Sequence, residues 1–83
     1  MGVGTMKEVA VLGSGCAKCT KTAELIEQTA AALGCAVHVV KETRPEVIMG
    51  YGVMSTPGVV VDGQVVHSGS MPLRAQIEGW LKA

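Results

Sequence analysis

Two strand-like runs enclose a helix-sized segment in the first half of this chain, and this order leaves few folds open. The first run, EVAVLG at residues 8–13, is apolar and closed by glycine, and the second, AVHVVK at residues 36–41, is β-branched. Between them, apolar residues recur at steps of three and four and predict an amphipathic helix over residues 19–33, ended by Gly34. Its apolar stripe comprises Cys19, Ala23, Ile26, Ala30 and Leu33. A helix of this length suits a right-handed crossover, so the two strands are predicted to be parallel.

The second half of the chain contains the clearest local signal, the segment GVVVDGQVVHSG. Two valine-rich runs flank Asp62 and Gly63, a residue pair that suits the positive φ angles of a type I′ turn. This pattern predicts a β-hairpin.

Two further helices are predicted around the hairpin. Before it, Thr43 is a candidate N-cap, Pro45 is tolerated in a first helical turn, and Glu46 stands at the capping-box position of a short helix ending near Gly50. After it, Ser70 is a candidate N-cap for a helix whose apolar face comprises Leu73, Ile77, Trp80 and Leu81. The predicted order is therefore β-α-β-α-β-β-α, in one domain over residues 6–83 that follows a flexible tail at residues 1–5.

Composition excludes several classes of function. The 83 residues include seven basic and seven acidic side chains, so the formal net charge is zero, and only Tyr51 and Trp80 are aromatic. Neither a basic stripe nor an aromatic platform is available for nucleic acid. The sequence shows no signal peptide and no membrane-spanning segment, so we expect a cytoplasmic monomer without membrane partners.

The three cysteines are not spaced as a disulfide framework. Cys16 and Cys19 form a CxxC motif at the start of the first helix, whereas Cys35 stands alone and is expected to pack in the core. The cytosol keeps thiols reduced, and a full zinc site would want a second CxxC. A CxxC motif beside a βαβ unit is typical of redox chemistry.

The motif GSGCAKC after the first strand, together with VMSTPGVVVDG before the hairpin, resembles the thioredoxin superfamily. The resemblance is greatest to the small, glutaredoxin-sized, thioredoxin-like redox-active disulfide proteins of bacteria and archaea. It implies an α/β fold in which a four-stranded mixed sheet is flanked by three helices. It also implies that Pro57 is cis and faces the cysteine pair, that Thr56 helps to shape a substrate groove, and that Cys16 and Cys19 form a redox-active disulfide.

That resemblance assigns roles which agree with the physics of a helix N-terminus. Unpaired N–H groups and the positive end of the helix dipole favour a thiolate there, and Lys18 adds positive charge. Cys16, on the loop side, is expected to be the nucleophile, and Cys19, in the first turn, the resolving thiol. The expected partners are protein or small-molecule disulfides and a reductase or low-molecular-weight thiol, with no cofactor and no bound metal.

Two other functions stay open at this point. GSGCAKC is also similar to the GMTCxxC loop of heavy-metal-associated domains, in which Cys16 and Cys19 would hold a soft metal ion as a binding module or metallochaperone. Those domains have the order βαββαβ and end on a strand, whereas this chain is predicted to end on a helix. A non-catalytic, redox-sensitive adaptor is the other alternative.

The chain departs from the better-known members of the superfamily. Neither WCGPC nor CPYC is present, since Gly15 precedes the motif and Ala17 and Lys18 lie inside it. The natural reductant is therefore not predicted. Three methionines, Met49, Met54 and Met71, are candidates for the rim of the active-site face.

Overall fold

The computed structural model describes residues 7–13 and 17–82 of the chain. The predicted tail at residues 1–5 and the predicted nucleophile Cys16 lie outside the described residues. The elements are β1 (Lys7–Leu12), α1 (Ala17–Leu33), β2 (Val37–Glu42), α2 (Pro45–Gly50), β3 (Gly58–Val61), β4 (Gln64–Ser68) and α3 (Arg74–Lys82). This order confirms the predicted fold class and differs from the βαββαβ order of heavy-metal-associated domains.

The four strands form one mixed sheet with the order β2-β1-β3-β4. β1 pairs in parallel with β2, as the crossover through α1 requires, and antiparallel with β3. At its C-terminal end β1 is paired on both sides, because Leu12 faces Glu42 in β2 and Gly58 in β3. This central strand therefore ends at a fixed position, four residues before the first cysteine of the CxxC motif.

The strands alternate their side chains between two cores. Val9 and Val11 of β1 lie in the larger core, which α1 and α3 cover, whereas Leu12 lies in the smaller core with Ile48 of α2. The larger core also contains Cys19, Ala23, Ile26, Ala30, Val59, Val61, Ile77 and Leu81. The sheet is thus the middle of three layers, with two helices on one face and the short α2 on the other.

The predicted stripe of α1 is buried, with Leu33 partly so, and two polar residues are buried beside it. The hydroxyls of Thr22 and Thr29 each donate a 2.7 Å hydrogen bond to a backbone carbonyl four residues earlier, those of Lys18 and Leu25. These bonds satisfy hydroxyls that would otherwise be costly to bury.

The structure confirms the predicted hairpin and the positive φ angles of its turn. Asp62 and Gly63 have φ angles of 50° and 84°, which suit a two-residue turn between paired Val61 and Gln64. The turn is also tied to β1, because the N–H of Asp62 donates to the carbonyl of Glu8 at 2.8 Å and the N–H of Glu8 donates to Oδ1 of Asp62 at 3.0 Å.

Both predicted N-caps are wrong. The N-cap of α2 is Arg44, held in an extended conformation before Pro45, and no side chain caps this helix, so neither Thr43 nor the capping box with Glu46 forms. The α3 helix begins only at Arg74, four residues after Ser70.

Other groups take the places of the caps that were expected. The N–H of Arg44 donates instead to the carboxylate of Glu42. Before α3, the N–H of Leu73 donates to the side chain of Gln76 at 2.9 Å, while the Ser70 hydroxyl lies 3.1 Å from Nε2 of His67. Leu73 itself is 69% exposed and is not part of the buried face of α3.

Candidate active site

Cys19, the second cysteine of the CxxC motif, lies in the first turn of α1, which begins at Ala17. Its side chain is buried in the larger core, against the sheet, rather than turned to solvent. Lys18, beside it, is exposed. Cys19 therefore lies at the N-terminal end of α1 with its side chain on the core side of the helix.

Gly13 follows the last residue of β1 and lies against this thiol. Its N–H donates a 2.9 Å hydrogen bond to the carbonyl of Glu42, so the residue is held against β2. A Cβ atom at this position would collide with Sγ of Cys19 and would lie 3.6 Å from Cβ of Thr56. The Cys19 thiol and the Thr56 side chain therefore both lie next to Gly13.

The Thr56–Pro57 segment adopts the conformation that the resemblance implies. Their peptide bond is cis, and Pro57 is buried while Thr56 is exposed. The carbonyl of Pro57 accepts a 3.0 Å hydrogen bond from the N–H of Gly69, after β4. In the part of the chain that the structure describes, the backbone N–H and carbonyl of Thr56 make no hydrogen bond.

An apolar groove of about 470 Å³ adjoins Thr56. It is lined by Thr43, Pro45, Ile48, Met49, Gly52, Val53, Met54 and Thr56. None of these described lining residues carries a charge. Met49 and Met54 are 74% and 96% exposed, so two flexible thioethers border the groove. Two of the three methionines predicted for the rim therefore lie here, whereas Met71, also exposed, does not line this groove.

Sequence reasoning missed Gly13 and the contribution of α2 to the groove. The glycine that closes β1 was interpreted only as a strand end, although its place just before the CxxC loop is a signal that could have been used. Thr43, Pro45 and Ile48 were assigned only to a helix, because nothing in their local pattern indicates that they face Thr56.

An ion pair lies beside Gly13, at the end of β2. Glu42 and Arg44 are joined at 2.9 Å, and the Glu42 side chain is 17% exposed. Hydrogen bonds from the Arg44 side chain, and then from its backbone N–H, lower the pKa of Glu42 from 4.5 to about 2. The same pairing raises the pKa of Arg44. The positive charge of Arg44 is therefore neutralised locally.

The remaining candidate ligands lie apart from one another. Cys35 is half-buried against the larger core, with its Sγ 4.0 Å from the carbonyl of Leu81, in agreement with the predicted packing role. His38 pairs with Glu8 at 3.0 Å, and His67 packs on Trp80 with ring centroids 5.9 Å apart. Within residues 7–13 and 17–82, no three His, Cys, Asp or Glu side chains are grouped so as to hold a metal ion. None of the helices described is both long enough and apolar enough to cross a membrane.

Comparison with known proteins agrees with this geometry. Residues 7–82 match the family model described as a thioredoxin domain. A curated thioredoxin from Methanocaldococcus jannaschii is 33% identical over 81 residues, which cover 98% of this chain and 93% of the relative.

Proposed function

Because the chain belongs to the thioredoxin family, we propose that it is a dithiol–disulfide oxidoreductase whose reacting pair is Cys16 and Cys19. The observation that carries this proposal is the meeting of Cys19 and Thr56 at Gly13. A resolving thiol has to lie close to the bound substrate, and the Thr56–Pro57 segment is the element beside it that can bind a polypeptide.

The proposed reaction balances two electrons and two protons. The Cys16 thiolate attacks one sulfur of a substrate disulfide, forms a mixed disulfide and releases the other sulfur as a thiolate, which takes up a proton. Cys19 then loses its proton and attacks the Cys16 sulfur, so that the second substrate thiol leaves and the Cys16–Cys19 disulfide forms. The substrate disulfide is reduced and the protein dithiol is oxidised. A reductase or a low-molecular-weight thiol restores the dithiol.

The position of the motif in the sequence, at the N-terminus of α1, supports these roles. The N-terminus of α1 favours a thiolate, and Lys18 adds a positive charge one residue before Cys19. Arg44 contributes little to this field, because Glu42 neutralises it. Stabilisation of the reacting thiolate therefore depends chiefly on the helix and on Lys18.

The backbone of Thr56 supplies the proposed docking edge for substrate. An extended segment next to the substrate disulfide would pair with the N–H and carbonyl of Thr56, an exposed residue whose backbone groups make no bond to any described residue. Apolar side chains of the same segment would lie in the groove bordered by Met49 and Met54. The proposed substrates are accordingly protein or peptide disulfides, handled by a cytoplasmic monomer.

A redox titration tests the proposal directly. Metal-free protein is equilibrated in dithiothreitol buffers of graded potential, quenched with an alkylating agent and mapped by mass spectrometry. We expect one reversible two-electron transition confined to Cys16 and Cys19. A pair that stays reduced throughout, or that oxidises only by linking separate chains, would overturn the proposal.

Three single variants assign the roles of the cysteines in insulin reduction with dithiothreitol as donor. Cys16→Ser is expected to abolish exchange, Cys19→Ser to trap mixed disulfides, and Cys35→Ser to retain turnover. Loss of turnover in a folded Cys35→Ser protein would contradict the two-cysteine mechanism.

A further inference from the structure

We propose that Gly13 is a positioning residue for the resolving step, because its missing side chain leaves the space in which the Cys19 thiol lies. This inference rests on the proposed function, since it concerns the second half of that reaction. It goes beyond the CxxC motif and the Thr56–Pro57 segment to a residue three positions before Cys16.

The first step of the argument is the contact itself. A Cβ atom at residue 13 would overlap Sγ of Cys19, would lie only 3.3 Å from its Cβ, and would stand 3.6 Å from Cβ of Thr56. Any other amino acid would therefore place a side chain where the resolving thiol lies. The thiol can occupy this position because residue 13 is glycine.

The second step is that Gly13 cannot move away. It is buried, and its N–H is bonded to the carbonyl of Glu42 at 2.9 Å. The residue before it, Leu12, is paired with Glu42 on one side and Gly58 on the other. With the backbone held by both neighbouring strands, a new methyl group would have to displace the terminal atom of the flexible partner, which is Sγ of Cys19.

The third step concerns backbone conformation. Gly13 is not among the glycines with positive φ, which in the described residues are Gly34, Gly52, Gly63 and Gly69. Alanine can therefore adopt the backbone geometry of residue 13 without strain. The effect of Gly13→Ala is expected to come from the side-chain contact and not from the backbone.

The consequence is specific to one of the two chemical steps. A displaced Cys19 sulfur has to leave its preferred rotamer or lose its line of attack on the mixed disulfide. A correctly oriented nucleophile reacts much faster than one that is held in the wrong orientation. The attack by Cys16 does not use this sulfur. Gly13→Ala should therefore slow resolution and leave formation of the mixed disulfide unchanged.

The test uses reduced protein carrying Cys35→Ser and the disulfide reagent dithiobis-nitrobenzoate. Attack by Cys16 releases one coloured thiol at a rate proportional to reagent concentration, and attack by Cys19 releases a second at a rate independent of it. We expect Gly13→Ala to slow the second phase by about tenfold or more, with the first phase unchanged. An unchanged second phase, or an equal slowing of both phases, would overturn the proposal.

Gly79→Ala is the matched control, because Gly79 lies in α3 with no atom near its missing Cβ and no positive φ. It should leave both phases unchanged. If the parent protein shows no second phase at all, the proposed function fails and the positioning role fails with it, and stability measurements then test only the contact between Gly13 and the Cys19 thiol.

Those measurements form a double-mutant cycle between residues 13 and 19. Gly13→Ala should raise the unfolding equilibrium constant markedly in the parent and much less in the Cys19→Ala protein, which has no sulfur to displace. The same comparison applies if Gly13→Ala alone does not fold. Equal destabilisation in both backgrounds, or failure of the double variant to fold, would show that the methyl group collides with something other than the thiol and would overturn the proposal.

Discussion

Glu42 holds Arg44 through three hydrogen bonds at the point where β2 ends and α2 is about to begin. Its carboxylate accepts from the backbone N–H of Arg44 at 3.1 Å, from Nε at 2.9 Å and from Nη2 at 3.0 Å. The carbonyl of the same glutamate accepts the N–H of Gly13. One residue therefore fixes both the start of α2, which lines the groove, and the end of β1, which contacts the resolving thiol.

This pair predicts a defined dependence of stability on pH. The folded-state pKa of Glu42 is lowered to about 2 from its ordinary value of 4.5, so its contribution is fully present above pH 4.5 and is lost as the pH falls toward 2. Urea unfolding at a series of pH values should show Glu42→Gln less stable than the parent at pH 7, with the difference closing over this window. The exposed Glu27→Gln serves as control, and a Glu42→Gln difference that is constant with pH would contradict the prediction.

Ile77 should be essential to the larger core, whereas Leu73 should not. Ile77 is a fully buried residue of α3, whereas Leu73, just before the same helix, is 69% exposed. Truncation of a buried isoleucine costs about 2–5 kcal/mol through lost transfer energy and a residual cavity, whereas an exposed substitution stays within about 0.5 kcal/mol. Denaturant unfolding of Ile77→Ala and Leu73→Ala measures the contrast, and similar losses in the two variants would be evidence against the assignment of the buried face.

Two glycine-to-alanine substitutions should change stability in opposite directions. Gly63 has a φ of 84° in the hairpin turn, so a side chain there is strained and should cost about 1–2 kcal/mol. Gly79 lies within α3 with open space around it, so alanine should stabilise the helix by about 0.5–1 kcal/mol. Thermal unfolding of the two variants provides the comparison, and a stable Gly63→Ala protein would be inconsistent with the type I′ turn.

Met54→Glu should reduce activity on protein disulfides without affecting the fold. Met54 is 96% exposed, so the substitution disturbs no packing, but it introduces a charge into a groove whose described lining has none. We expect kcat/KM for insulin to fall by roughly tenfold, equivalent to about 1.4 kcal/mol of transition-state binding.

Met71→Glu is the matched control for that experiment, because Met71 is exposed but is not a lining residue of the groove. Reaction with the small reagent dithiobis-nitrobenzoate, which needs no groove, should be unaffected in both variants. An equal kcat/KM for insulin in the parent and in Met54→Glu would show that the groove does not bind the substrate.

The fold could be predicted because its main signals are local. The period of the apolar stripe, the size of the crossover helix and the chemistry of Asp62-Gly63 each specify an element without reference to distant residues. The two caps were missed for the opposite reason. Thr43 and Ser70 are good N-caps in isolation, but the carboxylate of Glu42 and the side chain of Gln76 satisfy the N–H groups of Arg44 and Leu73 instead.

The site could be predicted only as far as its motifs extend. The sequence alone is enough to recognise the CxxC motif of Cys16 and Cys19 and the Thr56-Pro57 pair. The contact of Gly13 with Cys19 and Thr56 depends on how β1 and β3 are paired, and the groove depends on the packing of α2 against the sheet. Such contacts between residues far apart in sequence leave no local pattern.

The central place of β1 in the sheet has a consequence for the order of assembly. β1 precedes the other described strands in the chain, yet one of its two partners, β3, follows some fifty residues later, whereas β3 and β4 are joined by a two-residue turn. The hairpin can form early and locally, but its docking on β1 has to close a long loop, which is the slow kind of contact to make. That late docking also brings Thr56 to Gly13 and Cys19. A nascent or partly unfolded chain therefore has its cysteines but lacks the substrate-binding segment beside them. Selective disulfide exchange becomes possible only after β3 has paired with β1.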